Sequence, residues 1–260
     1  MKNIMMIRRT VFLLVPIFLF WAGNALAGPV VLFDQAHAQQ FLVEKKRPLD
    51  LSALADVFIE QGAEIRTTGI PLSDQTLQDV DVLIISGPFA PISTAEVVAI
   101  MKFIYRGGKL AVMTHISEPL MNLMPQLGIA VSSAAISEQE NVIGGNPRNF
   151  AVKDFAPHPL TRDLKSFQIY GGWALLHKKP EISVIGRTSP KAWIDLNQNG
   201  ELNDKDAVQS FSLILAGQAG KGAFVVFGDD ALFQNQFLKD GNLQLARNMA
   251  IWFCGPGRSI

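Results

Sequence analysis

The sequence predicts an α/β protein built on an open parallel sheet flanked by helices, with β-hairpins added in its C-terminal half. Two observations carry this. From Gly28 to Thr114 short β-branched runs alternate with stretches of helical period, and from Gln168 to Phe227 strand-like runs follow one another with turns and little helix between. Pro29 to Phe33 opens the first strand, Leu51 to Gln61 has apolar residues at helical spacing, and Gly62 ends that helix. Glu64 to Thr68 reads as a second strand and Asp81 to Ser86 as a third. Thr94 to Tyr105 is a helix capped by Ser93 and closed by Gly107-Gly108, and Lys109 to Thr114 is a fourth strand. Apolar runs between helices suit a parallel sheet buried on both faces.

In the second half, Gln168 to Leu176, Ile182 to Arg187, Ala192 to Asp195 and Ser210 to Leu215 read as hairpin strands. Ala223 to Phe227 is apolar throughout, which suits a central strand returning to the parallel sheet. Leu243 to Phe253 makes a last helix with Leu243, Ala246, Met249, Ala250 and Phe253 on its buried face.

Residues 1–27 read as a secretory leader: Lys2, Arg8 and Arg9, the apolar run Val11 to Trp21, then Ala25-Leu26-Ala27 with small residues where a signal peptidase reads. Cleavage is expected after Ala27, leaving residues 28–260 as a single periplasmic or secreted domain. An uncleaved anchor is the alternative, but the run is shorter than the roughly 20 residues that span a bilayer and contains Pro16. The one cysteine, Cys254, offers no internal disulfide, so the fold rests on its core. The full chain has 23 basic and 23 acidic residues. Removing the leader takes three basic residues and no acid, which leaves no basic excess for nucleic acid.

In an open α/β sheet, ligands sit beyond the carboxyl ends of the strands. Four segments bring polar groups there: Asp34, Gln35 and His37; Ser86-Gly87-Pro88; Thr114, His115 and Glu118; and Gly228-Asp229-Asp230. Asp34, His37, Ser86, His115 and Asp229 are the candidate ligand-binding residues. Asp34, His37, His115 and Asp229 together suit a transition metal, or the two histidines suit proton transfer. The alternative is that the acids accept backbone amides while the histidines pack in loops. No nucleophile stands in a strand-to-helix elbow, because Met113-Thr114-His115-Ile116-Ser117 has no cysteine and no Gly-x-Ser-x-Gly frame.

Asp195 to Asp206 has the spacing of a calcium loop. Asp195, Asn197, Asn199, the Glu201 carbonyl and Asp206 fall at ligand positions, with Gly200 at the turn. Its flanks read as strands where an EF-hand has helices, and the other reading is a polar hairpin tip. Among weaker features, His158 lies between two prolines, Gly144-Gly145-Asn146-Pro147 reads as a loop, and Tyr170 and Trp173 suit either a sugar-stacking wall or core.

Phe33-Asp34-Gln35-Ala36-His37, His158-Pro159-Leu160-Thr161, Val226 to Asn235, Gly241-Asn242 and Ala246-Arg247-Asn248 resemble uncharacterised domains of the class I glutamine amidotransferase-like superfamily. Within it, the resemblance is to domains shared by gliding-motility and intraflagellar-transport proteins. It implies a flavodoxin-like sheet that has lost the amidotransferase nucleophile and serves binding or assembly, often beside membrane systems. The resulting expectation is a secreted, non-catalytic module that binds a small molecule, a glycan or an envelope protein, with calcium in the acidic loop. The competing expectation is a metal-assisted hydrolase acting on an envelope sugar or peptide.

Overall fold

The computed structural model describes residues 28–255, so the expected leader lies outside the described residues. The protein is a mixed α/β structure in which five neighbouring parallel strands form the core of a larger sheet. These are β1 (Val30–Asp34), β2 (Glu64–Thr68), β3 (Val82–Ser86), β4 (Lys109–Met113) and, far along the chain, β15 (Gly222–Phe227). They lie in the order β15-β4-β3-β1-β2. The return of Ala223–Phe227 beside β4 follows from its composition, since an uninterrupted apolar strand needs cover on both faces.

Alternation along each strand divides the core. Val31, Phe33, Val82, Ile84, Ala111, Met113, Val225 and Phe227 point into one layer with α1 (Ser52–Ile59) and α4 (Asp240–Cys254). Leu32, Leu83, Ile85, Leu110, Val112, Phe224 and Val226 point into the other, with α2 (Thr94–Tyr105). A period of two therefore feeds both layers from the same strands. Helix α2 begins with a capping box: Ser93 accepts from the Glu96 amide, and the Glu96 side chain accepts from the Ser93 amide. Leu245, not Leu243, occupies the deepest part of the α4 face, Leu243 being only partly buried.

The second half differs from its expected layout in two respects. After α3 (Met124–Leu127), β5 (Ile129–Ser137) joins the main sheet as an antiparallel strand beside β10 (Trp173–His177). Small and weakly patterned residues, Ala-Val-Ser-Ser-Ala-Ala, hide that strand from a periodicity reading. Secondly, β6 (Val142–Ile143), β7 (Asn146–Val152) and β9 (Phe167–Tyr170) form a separate three-stranded sheet. The expected single run Gln168 to Leu176 is thereby split between two sheets at Gly171-Gly172, where Gly171 has φ +95°. Gly144-Gly145 turns β6 into β7 with both residues at positive φ. Strands β8 (Asp154–Phe155), β11 (Ser183–Arg187) and β14 (Ser212–Ala219) pair as antiparallel additions, and β14 also borders β15. The hairpin β12 (Trp193–Ile194) and β13 (Ala207–Val208) carries the Asp195–Asp206 loop at its tip. None of the described helices is long and apolar enough to cross a membrane.

Candidate functional site

The polar segments that follow β1, β3, β4 and β15 lie where the parallel strands end, but they do not form one four-residue cluster. They separate into two histidine–carboxylate pairs. In the first, His37 Nδ1 lies 2.7 Å from Asp34 Oδ2 and its Nε2 lies 3.0 Å from Glu96 Oε1. Asp34 also accepts from Gln39 Nε2 at 2.6 Å and from the Ala36 amide at 3.1 Å. Glu96, unanticipated as a partner, reaches His37 from the first turn of α2 while taking the Leu72 amide at 2.9 Å. Burial pulls the His37 pKa down, but the bonds and charges of Asp34 and Glu96 outweigh it and the pKa ends above the ordinary imidazole value.

In the second pair, His115 Nδ1 lies 3.0 Å from Asp230 Oδ1. The neighbouring candidate, Asp229, makes no hydrogen bond to this ring. That residue instead turns inward, accepting the Tyr170 amide at 2.7 Å and the Ala231 amide at 2.8 Å. Burial, with the Asp230 charge beside it, pushes the Asp229 carboxyl up to about 7. The hydrogen bond to Asp230 raises the His115 pKa against the cost of partial burial. The imidazole is framed by Phe89 at 4.9 Å and Phe41 at 5.7 Å between ring centroids, and the His115 carbonyl accepts from Trp173 Nε1 at 2.8 Å. Trp173 and Tyr170 thus border this region without forming an open stacking wall. Tyr170 stacks on Phe237 at 3.8 Å.

A joint transition-metal site at Asp34, His37, His115 and Asp229 does not fit this arrangement. Both His37 nitrogens already face carboxylates, and both Asp229 oxygens face amides. Among the described residues, no group of three or more His, Cys, Asp or Glu side chains is arranged to hold a metal ion. What the strand ends do hold is unmatched polarity. Ser86 Oγ, Thr114 Oγ1 and Asp230 Oδ2 are buried and have no hydrogen-bond partner among the described residues. Such atoms lose water's hydrogen bonds without recovering them, which costs about 1–3 kcal/mol each unless a water or ligand completes them. Gly87 lies against this group at φ +53°, and a Cβ there would sit 2.5 Å from Asp230 Oδ2 and 3.4 Å from His115 Cβ.

The Asp195–Asp206 loop is strand-flanked as its sequence indicated, and its oxygens are turned onto its own backbone. Asp195 accepts the Asn199 and Gly200 amides, Asn197 the Asn199 amide, Asn199 the Glu201 amide, and Asp206 the Leu196 and Asn203 amides. Gln198 at φ +58° and Gly200 at φ +80° make the turn, with Gly200 where the loop spacing puts it. His158 caps the short helical turn Pro159–Thr161 through Nδ1, and burial lowers its pKa to about 4. Burial raises the Cys254 thiol to about 11, so it is a poor thiolate source.

Among curated proteins none matches this sequence. Solved structures share its fold. The mmIFT52 N-terminal domain superposes with a TM-score of 0.69 at 18% identity, over 88% of this chain and 100% of that one. A ThuA-like protein from Bacteroides uniformis ATCC 8492 gives 0.54 at 16% identity, over 90% and 95%. Cytoplasmic protein STM1381 from Salmonella typhimurium LT2 gives 0.56 at 13% identity, over 87% and 99%. Identities this low speak for fold alone. The family model described as Domain of unknown function (DUF4350) matches residues 44–250, and the chain belongs to that family.

Proposed function

We propose that the protein is a ligand-binding module of the cell envelope, taking a small molecule, a glycan or part of an envelope protein at the carboxyl ends of its parallel strands. The observation that carries this reading is the set of buried, partnerless oxygens of Ser86, Thr114 and Asp230 beside the part-exposed His115. Buried polar atoms are as a rule hydrogen-bonded, so a ligand group or a water that it holds is what this reading supplies to these three. The parallel strand order β2-β1-β3-β4-β15 supports a flavodoxin-like arrangement and, with the missing nucleophile, a place near the class I glutamine amidotransferase-like superfamily. The leader-like residues 1–27 support an extracytoplasmic location. The mature protein should then begin at Gly28, and a purified exported form whose mass retains residues 1–27 would reject that. Calcium in the Asp195–Asp206 loop is proposed as a clip on the β12–β13 hairpin, supported by its ligand spacing. The metal-assisted hydrolase draws less support, since His37 has no free ring nitrogen.

The test is a small-molecule and glycan screen by thermal shift, run in parallel on wild type and Ser86→Ala. Ligands of the strand-end region should raise the wild-type melting temperature and lose at least half of that increment in the variant. Hits that stabilise both proteins equally would place binding elsewhere.

A further inference from the structure

An imidazole with one nitrogen fixed by a buried carboxylate and the other left unengaged is the arrangement from which proteins build proton acceptors. The three other histidines do not have it. His37 faces carboxylates on both sides, His158 Nδ1 accepts the Leu160 amide, and His177 Nδ1 faces the Lys179 carbonyl on an exposed strand end. His115 does. Its side chain is 36% exposed and its partner Asp230 only 3%. The Asp230 carboxylate has no other hydrogen-bonding partner among the described residues, its second oxygen being buried and unpaired. The one hydrogen bond that the carboxylate makes therefore goes to the ring. An acceptor on Nδ1 favours the tautomer with its proton there, which leaves the lone pair on Nε2. Phe41 and Phe89 fix the ring from the sides, and the bond from Trp173 Nε1 fixes the backbone beneath it.

We propose that His115, positioned by Asp230, is a general acid–base residue that activates water to hydrolyse an uncharged acyl ester held at the strand ends. This rests on the reading of that region as a ligand site and adds chemistry to it. Water is the nucleophile because neither Ser86 Oγ nor Thr114 Oγ1 makes the bond to the imidazole that would take its proton. An uncharged ester fits because the Asp230 carboxylate beside His115 repels phosphate, joined by Asp229 once it ionises. His115 Nε2 takes a proton from water as the water oxygen bonds to the acyl carbon and the carbonyl π pair moves onto its oxygen. When that pair returns, the bond to the alcohol oxygen breaks with its electrons, and His115 gives the proton to the departing alkoxide. The products are a carboxylic acid and an alcohol, with the imidazole restored.

The base form of His115 predominates only above its raised pKa. Asp230 and Asp229 act on it from the segment after β15, and the rings of Phe41 and Phe89 pack against it from the segments after β1 and β3. The test is hydrolysis of 4-nitrophenyl acetate by the purified protein between about pH 5 and 9. The wild-type rate should rise with a midpoint above 6.5, the ordinary imidazole value. His115→Gln should lower it by about 10²-fold or down to background, and added imidazole should raise the rate with His115→Ala by more than the same imidazole raises it in buffer alone or with His115→Gln. Asp230→Asn should shift the midpoint down, and if that variant fails to fold, imidazole rescue decides alone. A His115→Gln protein as fast as wild type, or a failed rescue, overturns the proposal. Ligands bound through Ser86 with no His115-dependent hydrolysis would leave the binding site standing and remove the catalysis. Hydrolysis that depends on His115 without any Ser86-dependent ligand would do the reverse.

Discussion

Nε2 of His37 lies 3.0 Å from Oε1 of Glu96, tying the loop after β1 to the first turn of α2. Nδ1 of the same ring meets Asp34 at 2.7 Å. Two acceptors on one imidazole call for two N–H donors, so the bridge is complete only when the ring is charged. Its folded pKa is raised, by Asp34 and Glu96 against the larger single effect of burial. The stabilisation is therefore full below the unfolded value of about 6.5 and lost as pH rises through the folded value. Wild type should lose melting temperature above neutrality more steeply than His37→Gln. At pH 6 the variant should be about 1–3 kcal/mol less stable. Parallel pH profiles for the two proteins would show that the bridge contributes nothing.

The first half of the fold was legible because every constraint there is local. Ser93 and Gly107-Gly108 bound α2 at Thr94–Tyr105, and β2 runs over Glu64–Thr68 as its pattern indicated. Long-range pairing was not legible. Nothing in the composition of Ile129–Ser137 says that it borders β10, and the second sheet exists only through partners such as Phe150 and Ile169. The site followed the same division. That the polar segments after β1, β3, β4 and β15 come to the strand ends was readable, but which of two adjacent aspartates turns to a histidine 115 residues earlier was not. Glu96 had left a trace in the sequence, since Ser93-x-x-Glu96 is a capping-box pattern. That pattern accounts for one of its oxygens and gives no hint of His37.

Asp229 should make stability fall with pH in a lower window. A buried carboxyl raised to about 7 binds a proton in the folded state that the unfolded chain has released above about 4, so stability declines between those values. Asp229→Asn keeps an acceptor for the Tyr170 or Ala231 amide and removes the titration. Its melting temperature should be nearly flat from pH 4 to 7 relative to wild type, with the gap between the two profiles changing by a few kcal/mol across that range. An unchanged slope would mean that Asp229 titrates normally.

Gly87→Ala should disturb the second histidine pair specifically. Glycine is needed there for two reasons, a φ of +53° and a Cβ position 2.5 Å from Asp230 Oδ2. The side chain of Asp230 must move away, which weakens its bond to His115. The expected result is a loss of about 1–3 kcal/mol together with a His115 pKa shifted down toward the ordinary imidazole value, read by NMR titration of the ring. A His115 titration identical to wild type would mean that Asp230 follows the ring, and that Gly87 serves only the turn.

The calcium proposal makes a prediction in which small size is part of the content. Side-chain oxygens of Asp195, Asn197, Asn199 and Asp206 now accept amides within the loop, so an ion must compete for oxygens already engaged. Extracellular modules of this kind bind calcium near 10⁻⁴ to 10⁻³ M, and at a few millimolar calcium that stabilises the folded state by only about 1 kcal/mol. The melting temperature should therefore rise by a few degrees at most, as expected for roughly this size of protein. Magnesium should do less, because it demands a tight octahedral shell and keeps its waters. Asp195→Ala removes the acceptor of the Gly200 amide as well as the first ligand, so the variant starts lower even without calcium. The decisive quantity is the calcium increment measured within each protein. An increment of equal size in wild type and Asp195→Ala would return the loop to a polar hairpin tip closed by its own hydrogen bonds.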